Sequence, residues 1–117
     1  MTNTSTTPSP APAPAERLVV GDVVLDRAAH LVTVNGRPRL LALQEFKLLE
    51  LLMSNADHVL SPQFLLDELW GTDYTGDPGT LAVHMLRLRN KLERQPGGTR
   101  HLRTVRSVGY VFDTQPV

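Results

Sequence analysis

Leu81, Met85, Leu88 and Leu92 recur at intervals of four, three and four residues, which is one apolar seam at the 3.6-residue period of an α-helix. No strand could place these four side chains on a common face, so this stretch constrains the fold more than any other. Asp77 can cap the helix and Pro78 suits its first position, where a missing N–H costs nothing. Gln95-Pro96-Gly97-Gly98 stops it, because proline cannot continue a helix and glycine accepts a left-handed exit. A helix over 78–94 is about 25 Å long. Its outward surface carries Ala82, Val83, Leu86, Arg87, Asn90 and Arg94, flanked by His84, Arg89 and Lys91. His101 to Val105 and Tyr110 to Asp113 then read as two strands around Arg106-Ser107-Val108-Gly109. The product is a basic helix followed by a basic hairpin with Arg106 at its tip, where a guanidinium can enter a DNA minor groove.

The formal net charge is zero, and that neutrality conceals a division along the chain. Residues 79–106 hold seven basic side chains and one acidic, whereas residues 40–78 hold one basic and seven acidic. A locally basic surface beside an acidic one attracts polyanions without raising the overall charge. The helix is also long enough to lie in a major groove and touch phosphates at its edges.

Upstream, residues 1–16 are Thr, Ser, Pro and Ala with a single charge. Such a segment cannot offset its ordering entropy by burial, so it reads as a disordered tail or linker, with residues 17–117 as the domain. Leu18–Val20, Val23–Asp26, Leu31–Val34 and Arg37–Leu41 are short Val- and Leu-rich runs separated by Gly21-Asp22, by a turn after Asp26, and by Asn35-Gly36. They predict a four-stranded antiparallel sheet, with Asn-Gly as a two-residue hairpin turn. QEFKLLELLMSN follows as a helix buried over a wide face through Phe46, Leu48, Leu49, Leu52 and Met53. Its start is poorly capped, since Ala42 has no side-chain acceptor. Ser61-Pro62 opens a second helix whose apolar stripe is Leu65, Leu66, Leu69 and Trp70. Strands, three helices and a closing hairpin make an α+β winged helix-turn-helix arrangement.

Several chemistries are disfavoured. The chain has no cysteine, which removes disulfides and thiolate metal sites, and its four histidines lack the neighbours of a metal motif. No Ser-His-Asp spacing, paired carboxylates or phosphate-cradling loop points to an enzyme, and no cofactor motif is present; Gly97-Gly98 follows a helix where a P-loop would precede one. No apolar run approaches the roughly 18 residues of a membrane helix, and no signal peptide opens the chain, which favours a cytoplasmic protein.

The stretches LALQEFKLLELLM, VLSPQFLLDELWG, TLAVHMLRLRNKLE and LRTVRSVGYVF resemble, in that order from about Leu18 to Phe112, the winged-helix effector domain of OmpR/PhoB-type response regulators. The resemblance implies double-stranded DNA binding for transcription regulation, with the third helix in the major groove and the wing in the minor groove. It also implies tandem head-to-tail copies on direct repeats, from a weak or DNA-induced homodimer. Position by position it implies groove-edge contacts from Val83 and Arg87 and phosphate contacts from Thr80, His84 and Arg89. Lys91 flanks the same surface, Trp70 matches a backbone contact, and Thr104, Arg106 and Tyr110 match the wing positions. The loop with Gly71, Asp73, Tyr74, Gly76 and Asp77 resembles one with which activators of this family touch RNA polymerase. Gly79 and Leu86 depart from the pattern, standing where many relatives carry a basic or polar group, so Arg87 is left as the one strong base reader beside an apolar patch. Regulators of this type carry a phosphoacceptor receiver domain ahead of the effector, and residues 1–16 are too short to be one.

Overall fold

A computed structural model describes residues 16–71, 79–94, 98 and 100–115. The expected tail over 1–15, the Asp77-Pro78 helix start and the Gln95-Pro96-Gly97 stop lie outside the described residues.

Strands β1 (Arg17–Val20), β2 (Val23–Asp26), β3 (Leu31–Val34) and β4 (Arg37–Arg39) form an antiparallel meander in that order. Its register pairs Val20 with Val23, Val23 with Val34, and Val32 with Arg39. Alternation puts Val20, Val23, Leu25, Val32 and Val34 inward, all buried, and leaves Val19 and Leu31 exposed. Asn35 and Gly36 both take positive φ, 53° and 77°, as the Asn-Gly turn requires. β4 ends two residues earlier than the sequence suggests: Leu40 is 91 % exposed and has left the sheet.

Helix α1 (Leu43–Ser54) packs against β1, and α2 (Pro62–Trp70) and α3 (Gly79–Arg89) pack against α1. The seam is buried as expected, with Leu81, Met85, Leu88 and Leu92 no more than 2 % exposed. One departure is the end of the third helix. The α-helix stops at Arg89 and Asn90–Arg94 form a single π turn, so the continuous α-helix to Arg94 is corrected. Within this wider turn Leu92 remains in the core while Lys91 reaches back to Glu45, Nζ to Oε1 2.5 Å.

The cap of α1 is better than composition suggests. Ala42 has the extended geometry of a cap residue, and its N–H donates to Glu45 Oε1 at 2.9 Å. This supplies the reverse half of a capping box, with only the hydroxyl-dependent half missing. α2 begins as the sequence implies, with Ser61 Oγ accepting from the Phe64 N–H at 3.1 Å.

The chain closes with β5 (Leu102–Val105) and β6 (Gly109–Phe112), paired from Leu102 with Phe112 to Val105 with Gly109. Both strands start one residue away from the expected limits, because His101 precedes the ladder and Gly109 belongs to it.

Candidate nucleic-acid interface

The hairpin is fixed to the rest of the domain at three places. Leu60, just before α2, exchanges two backbone hydrogen bonds with Tyr110 at 2.8 and 2.9 Å. Gly109 makes this approach possible, since a Cβ there would sit 2.0 Å from the Leu60 carbonyl oxygen. At the base, Asp57 accepts from the Thr114 N–H and hydroxyl, both at 2.9 Å. Those two bonds hold the Asp57 carboxyl below its ordinary pKa. Beside it, Arg103 grips Asp113 through two hydrogen bonds of 2.7 and 3.1 Å.

His101 supplies the third tie and was missed in the sequence, where it reads only as the start of a strand. It is 1 % exposed and stacked on Phe112, with ring nitrogens 2.7 Å from the Asp113 carbonyl oxygen and 2.9 Å from Asp22 Oδ1. It therefore joins the β1–β2 turn to the foot of the hairpin. Only its neighbours in space reveal this.

The fixed hairpin stands beside α3. Arg89 bridges them, donating to Thr104 Oγ1 on β5 at 3.0 Å while lying 3.9 Å from Glu93. The outward face of α3 presents Ala82, Val83, Leu86 and Arg87 to solvent, with Val83 45 % and Leu86 51 % exposed. Arg87 is exposed and makes no hydrogen bond or ion pair among the described residues. Arg106 is in the same condition at the turn, which the Val108 N–H closes onto the Val105 carbonyl at 2.9 Å. Ser107 takes φ 67° there.

Other expected positions are more engaged. His84 Nδ1 lies 2.8 Å from the carbonyl oxygen of Thr80, one turn back, and its ring meets Trp70 edge-on at 5.2 Å. Trp70 and Tyr110 are half-buried and packed against the core, so each combines a structural role with an accessible edge. Lys91 is a correction. Its ammonium is drawn to the buried Glu45 carboxylate rather than to the outward surface, because a buried carboxylate requires a partner. Burial raises the Glu45 pKa, but the hydrogen bond from Lys91, the Ala42 N–H and the charge of Lys91 outweigh it, leaving a net lowering. Of the loop residues singled out, Asp73, Tyr74, Gly76 and Asp77 lie outside the described residues. Gly71 follows α2 with φ 97° and donates to the Asp67 carbonyl at 2.8 Å.

The geometry is thus a solvent-facing helix surface with one guanidinium unpaired among the described residues, a hydrogen-bonded bridge, and a hairpin whose turn carries another. Residues 36–112 match the family model described as transcriptional regulatory protein, C terminal. The chain belongs to this family. It is an OmpR/PhoB-type effector domain of transcriptional regulators, not an enzyme family.

In the curated relatives the matching region is part of a longer chain. The sensory transduction protein RegX3 of Mycolicibacterium smegmatis is 50 % identical over 96 residues, covering 82 % of this chain and 42 % of that protein. The response regulator SaeR of Staphylococcus aureus is 38 % identical over 98 residues, 84 % of this chain and 43 % of SaeR. The chain therefore spans about two-fifths of the length of these curated relatives. Among solved structures, the Klebsiella pneumoniae RstA DNA-binding domain in complex with RstA box superposes with a TM-score of 0.74 at 28 % identity, covering 86 % of this chain and 99 % of that one. The described helices include none long and apolar enough to cross a membrane.

Proposed function

We propose that this OmpR/PhoB-type domain binds double-stranded DNA sequence-specifically to regulate transcription, with α3 in the major groove and the turn at Arg106 in the adjacent minor groove. The observation that carries the reading is the juxtaposition of two exposed guanidiniums, Arg87 on α3 and Arg106 on the hairpin, neither paired among the described residues, across a hydrogen-bonded junction. Arg87 reads guanine through O6 and N7, and Ala82, Val83 and Leu86 rest against thymine methyl groups, favouring A·T-rich half-sites with one required G·C pair. Thr80, His84, Arg89 with Thr104, and the exposed edges of Trp70 and Tyr110 serve the phosphates and fix the register. Lys91 is left to Glu45.

One domain covers one half-site, and specificity is completed by a second copy arranged head to tail on a direct repeat about one helical turn away. The two copies associate weakly, or only on DNA. The loop opening at Gly71 is assigned to RNA polymerase contact. Its acidic, glycine-rich sequence suits a basic protein surface.

Fluorescence anisotropy with a duplex selected from random DNA tests the central claim. Arg87→Ala relaxes choice at one base position at a cost of about 1 to 3 kcal/mol, and Arg89→Ala weakens all sequences alike. Affinity falls steeply as salt rises, through counterion release. Affinity that is flat with salt would replace this reading with a protein-interaction module.

A further inference from the structure

Beyond the helix face and the hairpin turn lies a notch of about 430 Å³ between the π turn and β5. Arg89, Arg94, Arg100 and Arg103 all line it, against one carboxylate, Glu93. Arg103 is satisfied by Asp113, and Arg89 by Thr104 and, more loosely, Glu93. Arg94 and Arg100 are exposed and make no hydrogen bond or ion pair among the described residues. With Arg89 and Arg103 engaged, Arg94 and Arg100 bring two further positive charges to the concavity, and planar forked donors suit phosphate oxygens.

Glu93 is consistent with a site short of negative charge. Burial pushes its carboxyl above the ordinary value despite the opposing pull of Arg89, a hydrogen bond from the Leu102 N–H and the charge of Arg100, and Oε2 has no hydrogen-bond partner among the described residues. The sole acidic group is thus turned into the protein. Arg94 lies seven residues beyond Arg87, about 10 Å along the helix, which is the reach from a base edge in the groove to the flanking backbone.

We infer that this notch binds a phosphate of the DNA backbone outside the half-site read by Arg87, held chiefly by Arg94 and Arg100. The inference rests on the DNA-binding reading above and adds a contact with no role in base choice. The domain thereby grips a longer footprint than its base contacts require.

The test compares the parent with R94A/R100A on two duplexes, one ending flush with the half-site on the hairpin side and one extended there by about 10 base pairs. On the extended duplex the double substitution makes the slope of log affinity against log salt shallower by about 0.9, the value for one phosphate. That corresponds to binding roughly five-fold weaker near 0.15 M salt, extrapolating the slope from 1 M. On the flush duplex the two proteins coincide, and the selected sequence is unchanged. Equal slopes on the extended duplex overturn the inference while leaving DNA binding intact. A parent that binds no duplex overturns both. A thermal shift with inorganic phosphate separates the sources: stabilisation lost in R94A/R100A alongside an unaltered DNA slope assigns the notch to a free anion and refutes the backbone contact. Both side chains are exposed, so the melting temperature without ligand stays within a few degrees of the parent.

Discussion

Gly109→Ala tests how the hairpin is positioned. A Cβ at Gly109 would lie 2.0 Å from the Leu60 carbonyl oxygen, 2.7 Å from its carbonyl carbon and 3.1 Å from the Ser61 Cα. An unstrained carbon–oxygen contact needs more than 3 Å, so Leu60 and β6 must separate by roughly 1 Å. Backbone on both sides of the clash leaves no flexible side chain to move away. The two hydrogen bonds between Leu60 and Tyr110, now 2.8 and 2.9 Å, stretch beyond useful length. At about 0.5 to 1.5 kcal/mol each, their loss costs about 1 to 3 kcal/mol. In a domain of this size that lowers the melting temperature by very roughly 5 to 20 °C. Circular dichroism melts read the stability, and anisotropy with the selected duplex reads the function. Because Arg106 rides on this hairpin, DNA affinity falls even at temperatures where Gly109→Ala is folded. A melting temperature within about 2 °C of the parent would refute the argument, since it would mean that β6 does not approach Leu60 so closely.

Further outcomes follow from single contacts. Ala42→Thr completes the capping box opposite Glu45 and raises stability by about 1 kcal/mol, measurable in urea denaturation. Glu45, with its pKa held below the ordinary 4.5, contributes stability that is full above that value and lost as pH falls through the folded pKa. Glu45→Gln therefore lowers the melting temperature at neutral pH and flattens its decline below pH 4.5. Glu93 has the opposite sign, because its pKa is raised in the folded protein and ionisation opposes folding. Glu93→Gln raises the melting temperature at pH 7, and the gain shrinks as pH falls through the raised folded pKa and is gone below the ordinary carboxylate value. Arg106→Ala leaves stability unchanged and weakens DNA binding, read by melts and anisotropy on one preparation.

Local pattern made much of the fold legible. The seam at Leu81, Met85, Leu88 and Leu92, the Asn35-Gly36 turn, the Ser61-Pro62 helix start and the alternation in the first three strands each act within a few residues. Their physics is complete in the sequence. The outward set on α3 follows from the same periodicity, since fixing the buried seam fixes Val83, Leu86 and Arg87 opposite. Where the sequence alone misjudged, the deciding partner was distant in the chain. Lys91 reads as a flank of the DNA-facing surface, but Glu45, 46 residues away, holds it. Ala42 looked uncapped because Glu45's other bond is to a backbone N–H. His101 reads only as the start of a strand, although Asp22 and Asp113 hold its ring.

The sequence by itself determined the order of elements, the buried faces and the separation of charge that leaves the third helix and hairpin basic. Tertiary structure decided which of those charges are free. An ion pair depends on the position of both partners, and packing brings together residues that no period relates. Among the seven basic residues of 79–106, it draws Lys91 inward, ties Arg89 and Arg103 to their neighbours, and leaves Arg87, Arg94, Arg100 and Arg106 facing solvent.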